Sequence, residues 1–295
     1  MGTRGLLVPL AVLFAALLVG CAAHPPSNAI PMIAYHSEQS LGAGIHLMKP
    51  DGTGDVRVTL SIEDVSPAIS PDGYHIAFAS GGTNQQQLYL VNPDGSGRTM
   101  ITTGAPEDKW TPAWLPNGFK LGFSGGYSPN KHIYTIGTDG TNLLQISTNE
   151  YLDTEPEFAP EISVIAYQSW RDYNFQIFTR TVFGTDEHQL TTGDYSNVYP
   201  CYTPDGQKIV FTSTRDKNQQ IYIMNADGTN QTRLTNNSGN DFKPTVSPDG
   251  TQIAFASTRN ANWDIYKMNI DGSAETRLTT DPGKDDEPSW GMIVP

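Results

Sequence analysis

Six residues recur at a near-constant interval along this 295-residue chain: Asp64, Lys109, Asp153, Asn197, Asp241 and Asp285, each three positions before a proline. Carboxylates set out in this way can hold a cation, focus a field on a cationic partner, or pair with arginines inside the fold. Around them stand Glu63, Glu107, Asp108, Glu150, Glu155, Asp194, Asp281, Asp286 and Glu287, opposed only by Lys109, Lys243 and Lys284. Trp110, Tyr151, Tyr195, Tyr199 and Phe242 are interleaved with these acids. The chemistry on offer is recognition of a cationic or polar segment, such as a Lys- or Arg-bearing peptide, drawn by charge and packed on aromatic rings. The structural alternative is that the aspartates cap backbone amides or pair with Arg171, Arg215 and Arg259, which stand in Ser-x-Arg positions.

Catalytic patterns are missing. The chain has no His-Glu-x-x-His, Gly-x-Ser-x-Gly, phosphate loop or dinucleotide fingerprint, and no Asp-x-Asp-x-Asp-Gly calcium loop. His132 is the one histidine placed to reach a site, while His36, His46, His75 and His188 fall at ordinary strand positions. Cys201 reads as a small buried filler. We therefore expect no catalytic residue, metal or cofactor. A net charge of -13 argues against nucleic acid as a partner.

These residues must be positioned by a repeat. Pro67, Pro112, Pro156, Pro200, Pro244 and Pro288 are spaced by 45 and then 44 residues. Four residues later comes a turn, as in Ser70-Pro71-Asp72-Gly73 or Ser247-Pro248-Asp249-Gly250, where proline presets φ and glycine accepts positive φ. A second strand follows (Ile76/Phe78, Ile253/Phe255), then a third (Leu88-Tyr89, Ile265-Tyr266), and then a second turn such as Asp94-Gly95, with Phe183-Gly184 as its imperfect copy. A fourth strand carries an apolar residue and a hydroxyl, as in Ile101-Thr102 or Leu278-Thr279. Each repeat is a four-stranded antiparallel meander, and such sheets stack into an all-β propeller.

The ends set the blade count. Residues from Ile33 to Thr59 supply strands two to four with no first strand, and Pro288-Ser289-Trp290 supplies a first strand with nothing after it. Together they make a sixth blade that closes the ring, so we expect a six-bladed β-propeller and a monomer.

The N-terminus is a targeting segment. Arg4 precedes an apolar run of fourteen residues from Leu6 to Val19, too short for the roughly 20 that span a bilayer. The run ends in Leu18-Val19-Gly20-Cys21, which resembles a bacterial lipobox with Cys21 as the lipidated residue. Expected boundaries are a signal peptide over 1–20, a tether over 21–27 and the propeller over 28–295. By resemblance to sorting rules, Ala22 favours the outer membrane.

The copy Ser213-Thr214-Arg215, Gln220-Ile221-Tyr222-Ile223-Met224-Asn225, Asp227-Gly228, Arg233-Leu234-Thr235, then Pro248-Asp249-Gly250, resembles the repeat of the TolB-like propellers. That resemblance implies a non-catalytic, periplasm-facing binding platform engaging a protein or peptidoglycan-associated partner. TolB itself carries a further α/β domain before its propeller and is not a lipoprotein, so membership of a Tol-Pal-type system does not follow. The variable loops, which gather at one end of a propeller, are the expected partner-binding face, with Asp64, Asp108, Trp110, Tyr151, Asp153, Tyr195, Asn197, Tyr199, Asp241, Phe242 and Asp285 as its residues. Alternatives on the same scaffold are an oligosaccharide lyase or hydrolase and a glycan-binding module.

Overall fold

The computed structural model describes residues 23–295 apart from 40–41, 83, 105–106, 128–129, 162 and 183–185, so Cys21, the expected signal peptide and the Phe183-Gly184 turn lie outside the described residues. All the regular structure is β, in six four-stranded antiparallel sheets. The innermost strands are Asp285–Ile293 in blade 1, Val65–Ile69 in blade 2, Lys109–Trp114 in blade 3, Leu152–Phe158 in blade 4, Asn197–Tyr202 in blade 5 and Asp241–Val246 in blade 6. Blade 1 is the shared one: Ile30–Ser37 pairs with Asp285–Ile293 over the registers Ile30 to Ile293 and Ser37 to Asp285. The ring closes as the repeat count predicts.

Large residues on second and third strands meet as cross-strand pairs, Phe78 with Tyr89 at 5.6 Å and Phe255 with Tyr266 at 6.0 Å between ring centroids. Small residues face the next blade. Ala77 and Ala79 pack with Leu121 and Phe123, and a Cβ on Gly122 would come within 2.4 Å of the Phe158 ring. Each fully buried side chain of this size contributes about 1.5–3 kcal/mol, and the buried residues gather in six clusters between neighbouring sheets.

The fourth strand differs from the sequence expectation. It stops at Thr99–Met100 in blade 2 and Thr276–Arg277 in blade 6, just before the apolar-hydroxyl pair. The hydroxyl takes over from the ladder: Thr59, Thr102, Ser147, Thr191, Thr235 and Thr279 each accept the N–H of a buried apolar residue near the start of the third strand, at 2.8–3.0 Å. A side-chain oxygen there satisfies a buried amide that a short strand would leave unpaired.

Candidate binding mouth and central channel

The six ring positions stand at or beside the start of the innermost strands, at one end of the propeller, and all six are buried. Their charges are met blade by blade. In blade 6, Arg259 Nη2 donates to both oxygens of Asp241 at 3.0 and 3.1 Å, Nη1 donates to Glu275, and the guanidinium lies 4.5 Å from the Tyr266 ring centroid. In blade 5, Arg215 Nη2 donates to Asn197 Oδ1 at 3.1 Å and Gln231 Oε1 at 2.7 Å, over Tyr222. In blade 4, Arg171 pairs with Glu187 at 2.7 Å and stacks on Phe178. Burial pushes the nearby Asp153 carboxyl up, and both of its oxygens are buried without a hydrogen-bond partner.

Blades without a Ser-x-Arg solve the problem differently. Blade 2 has Ser80-Gly81-Gly82 there, and Arg98, at the outer-strand position of Gln231 and Glu275, reaches Asp64 in a bidentate pair of 2.8 and 2.9 Å. Blade 3 has Ser124-Gly125-Gly126 and Leu143, no arginine at either place, and its ring residue is Lys109, donating to Gln87 Oε1 and the Gly104 carbonyl. Blade 1 keeps Asp285 without an arginine, and burial pushes its carboxyl up to about 6. A buried carboxylate is costly without a charged partner or a proton; blades 2 and 6 supply an arginine, blades 3 and 5 replace the acid, and in blades 1 and 4 burial pushes the carboxyl up.

The other expected site residues are spread in depth. Asp108 is buried against Lys131 at 3.2 Å, and Lys131 also lies 5.2 Å from the half-buried Trp110 ring. Phe242 is buried edge-on to Trp263. Tyr195 is half-buried under Arg215, Tyr199 lies in the channel, and Tyr151 is exposed beside Arg171. The rim outside them is acidic, with Glu38, Glu63, Glu107, Glu150, Asp172, Asp194 and Asp281 exposed. His132 is half-buried and does not line the channel.

Inside the ring runs a channel enclosing about 720 Å³. It is narrowed by the six residues just before the blade prolines: Ser66 (φ 53°), Thr111 (50°), Glu155 (54°), Tyr199 (55°), Lys243 (49°) and Glu287 (54°). A left-handed conformation costs a non-glycine residue about 1–3 kcal/mol. Here it is imposed by a bulge that shifts the register of every innermost strand. Side chains of the preceding blade clasp the turned amides: the Ser66 N–H donates to Glu287 Oε2, the Glu155 N–H to Ser124 Oγ, and the Tyr199 N–H to Gln168 Oε1, at 2.6–3.0 Å.

The TolB beta propeller domain model matches residues 30–201 and 183–292. The chain belongs to the TolB β-propeller family. TolB from Acinetobacter baumannii superposes with a TM-score of 0.79 at 22% identity, over 95% of this chain and 70% of that one. A putative TolB from Agrobacterium tumefaciens gives 0.72 at 20%, over 90% and 98%. An oligogalacturonate lyase in complex with manganese gives 0.58 at 14%, over 80% and 70%, a likeness of fold. No curated protein matches the sequence.

Within this TolB-like channel the titratable groups are shifted by burial or held in ion pairs. Cys201 Sγ lies 3.9 Å from Glu157 Oε1. Burial pushes the thiol far above its usual range and the carboxyl up to about 8, so both are protonated at neutral pH. Lys243 forms an ion pair with Glu287, which holds it charged despite its burial. His36 Nδ1 meets Asp286 at 3.0 Å, and their ligand atoms lie with those of Glu287 within 4.8 Å, a donor set able to hold a metal ion. Lys284 on Asp286 and Lys243 on Glu287 already supply the cations those carboxylates need, which does not fit a metal there.

Several of these features escaped the sequence reading: Arg98 as a ring partner, His36 beside the channel, and the left-handed ring. So did an aromatic tip. The second-to-third hairpin of blade 4 turns through Asp172 and Tyr173, both at positive φ, and leaves Tyr173 88% exposed above Trp170 and Phe175. The signal was there in Trp170-Arg171-Asp172-Tyr173-Asn174-Phe175, which is shorter than the same loop in blades 5 and 6.

Proposed function

We propose that this TolB-family propeller is a non-catalytic, lipid-anchored scaffold facing the periplasm, which takes a cationic or polar segment of a protein or peptidoglycan-associated partner at its mouth. Cys21 carries the lipid, with the outer membrane as its destination. The observation that carries the reading is the rim. With the ring carboxylates buried, Glu63, Glu107, Glu150, Asp172, Asp194 and Asp281 remain exposed there, next to exposed Tyr151, Trp170, Tyr173 and Trp263.

The division of labour follows from burial. Asp64, Asp153, Asp241 and Asp285 have no surface with which to touch a partner, so they and Asn197 shape the mouth while the rim makes contact. Tyr199 and the channel below take what enters. A lyase acting on uronates would need cationic groups to neutralise its substrate, and an acidic rim repels such a chain. The protonated Glu157 and Cys201 offer no nucleophile.

The test is binding of fluorescent Lys-rich and Glu-rich peptides of equal length at low and physiological salt. Preference for the cationic peptide, lost in the triple reversal Glu63→Lys, Glu107→Lys and Glu150→Lys at unchanged Tm, is the expected result. Equal affinity for both peptides overturns the acidic-rim reading.

A further inference from the structure

The chain enters blade 1 as that blade's second strand, and this fixes where its N-terminal side emerges. Ile30 opens the strand opposite Ile293, at the end that carries the Pro-Asp-Gly turns, whereas Ser37 closes it opposite Asp285 at the mouth. Upstream of Ile30 the chain stays on the turn end. The Ala29 N–H donates to the Pro26 carbonyl at 3.0 Å, and the Ala23 N–H donates to the Pro116 carbonyl of blade 3 at 2.8 Å. Ala23, His24 and Pro25 thereby line the turn end of the channel, together with Pro71, Pro116, Pro160, Pro204 and Pro248. Cys21 is two residues upstream of Ala23, so chain length alone keeps it within about 7 Å of that contact.

The same face carries two exposed aromatic rings. Tyr74 (51% exposed) and Phe119 (71%) follow the turn glycines of blades 2 and 3. Blades 5 and 6 have Gln207 and Thr251 at that place. An exposed phenylalanine on the turn to which the tether is hydrogen-bonded is costly in water and favourable at a lipid-water interface. The neighbouring acids, Asp72, Asp94 and Asp139 against Lys120, make an anionic surface a poor fit.

We propose that the turn face of blades 2 and 3 rests on a zwitterionic phospholipid interface, with Phe119 and Tyr74 entering the headgroup layer. The mouth then points away from the membrane, and the tether covers the turn end of the channel, so a partner enters from the mouth alone. This orientation rests on the lipid anchor at Cys21 given under Proposed function.

The experiment uses the full lipidated chain, extracted from envelopes and reconstituted in phosphatidylethanolamine-phosphatidylcholine vesicles, with Cys201→Ala removing the other thiol. Nitroxide labels go on Phe119→Cys, Tyr74→Cys and, at the mouth, Tyr173→Cys. On vesicle binding, labels at 119 and 74 gain collisions with lipid-dissolved oxygen and lose collisions with a water-soluble nickel chelate several-fold, while the label at 173 does not change. Anionic phosphatidylglycerol reduces that protection, and a long Gly-Ser insertion after Ala22 abolishes it. Equal accessibility at all three positions, or protection at 173, overturns the orientation. Mass spectrometry of the N-terminal peptide separates the two failures. An unmodified Cys21 removes the anchor and this inference together, whereas an acylated Cys21 with a water-exposed label at 119 removes the orientation and leaves the binding reading intact.

Discussion

The two ends of this ring are made by the same strands, yet they neutralise their acids by different routes. At the turn end the aspartates of the Asp-Gly turns are satisfied by their own loops. Asp94 accepts the Ser96 N–H at 2.9 Å and its hydroxyl at 2.6 Å, and Asp227 and Asp271 do the same with Thr229 and Ser273. Those hydrogen bonds hold the turn carboxyls below their ordinary range. At the mouth the partner is far away in sequence: Asp64 is met by Arg98, Asp241 by Arg259, and Asp286 by His36. Local satisfaction lets a turn be copied from blade to blade without change. Distant satisfaction makes the blades depend on particular pairs: of the two blades without a ring arginine, blade 3 has Lys109 at the ring position, while blade 1 keeps Asp285 with its carboxyl pushed up by burial.

The largest expected effect comes from breaking one of those pairs. Arg259→Ala leaves the Asp241 carboxylate buried without its cation, and removing one partner of a buried pair costs about 3–5 kcal/mol. At roughly 2–4 °C per kcal/mol for a domain of this size, thermal melting should reveal it at once. Arg98→Ala should behave alike through Asp64. The double variant Asp241→Asn with Arg259→Ala should recover part of the loss, because an amide carries no charge to desolvate. If Arg98→Ala melts with the wild type, the contrast between the two ends is wrong.

A second effect is set by pH. Burial raises the Glu157 carboxyl to about 8, so its neutral form is the stabilised one. The sign follows from proton binding. In the range between the unfolded value, about 4.3, and 8, the folded chain holds the extra proton, so stability is greatest at the acid side and falls as pH rises. Glu157→Gln should therefore raise Tm at pH 8.5 and change it little at pH 5. A Tm difference independent of pH would show that Glu157 is not protonated in the channel.

Smaller still is the loss of one ladder-ending hydroxyl. Thr235→Val keeps the shape of the side chain and leaves the Ile221 amide without its partner, which costs about 1–3 kcal/mol, while Gln220 Oε1 keeps the Asn237 N–H. Hydrogen exchange should show faster opening at Ile221 with the rest of blade 5 unchanged.

What could be read from the sequence divides along the same line. The turns, the strand faces and the ring closure rest on residues a few positions apart, and proline, glycine and alternating apolar residues announce them. The split blade was legible because its missing strand had to be somewhere. Ser-x-Arg pointed to the partners of Asn197 and Asp241, but nothing near Asp64 pointed to Arg98, 34 residues on and at a different place in its blade. The left-handed ring was hidden for a different reason: Glu155, Tyr199 and Lys243 carry no signature of positive φ, and a bulge between strands imposes it. Burial of the ring could not be read either, since an acid-rich loop looks the same whether its carboxylates point inward or outward.

Asp271→Ala is the smallest change of the series and the sharpest control. The carboxylate is exposed, and its two partners, the Ser273 amide and hydroxyl, can turn to water when it is removed. Its lowered pKa makes its contribution present above the ordinary carboxylate range and lost as pH falls, so any Tm difference should appear at neutral pH and vanish in acid. That is the opposite slope to Glu157→Gln. Melting both variants from pH 3 to pH 9 therefore sets two carboxylates of one propeller against each other. Tm differences that part in opposite directions as pH rises, upward for Glu157→Gln and downward for Asp271→Ala, are what local hydration at the turns and enforced dehydration in the channel require, and parallel curves would mean that the two environments do not differ.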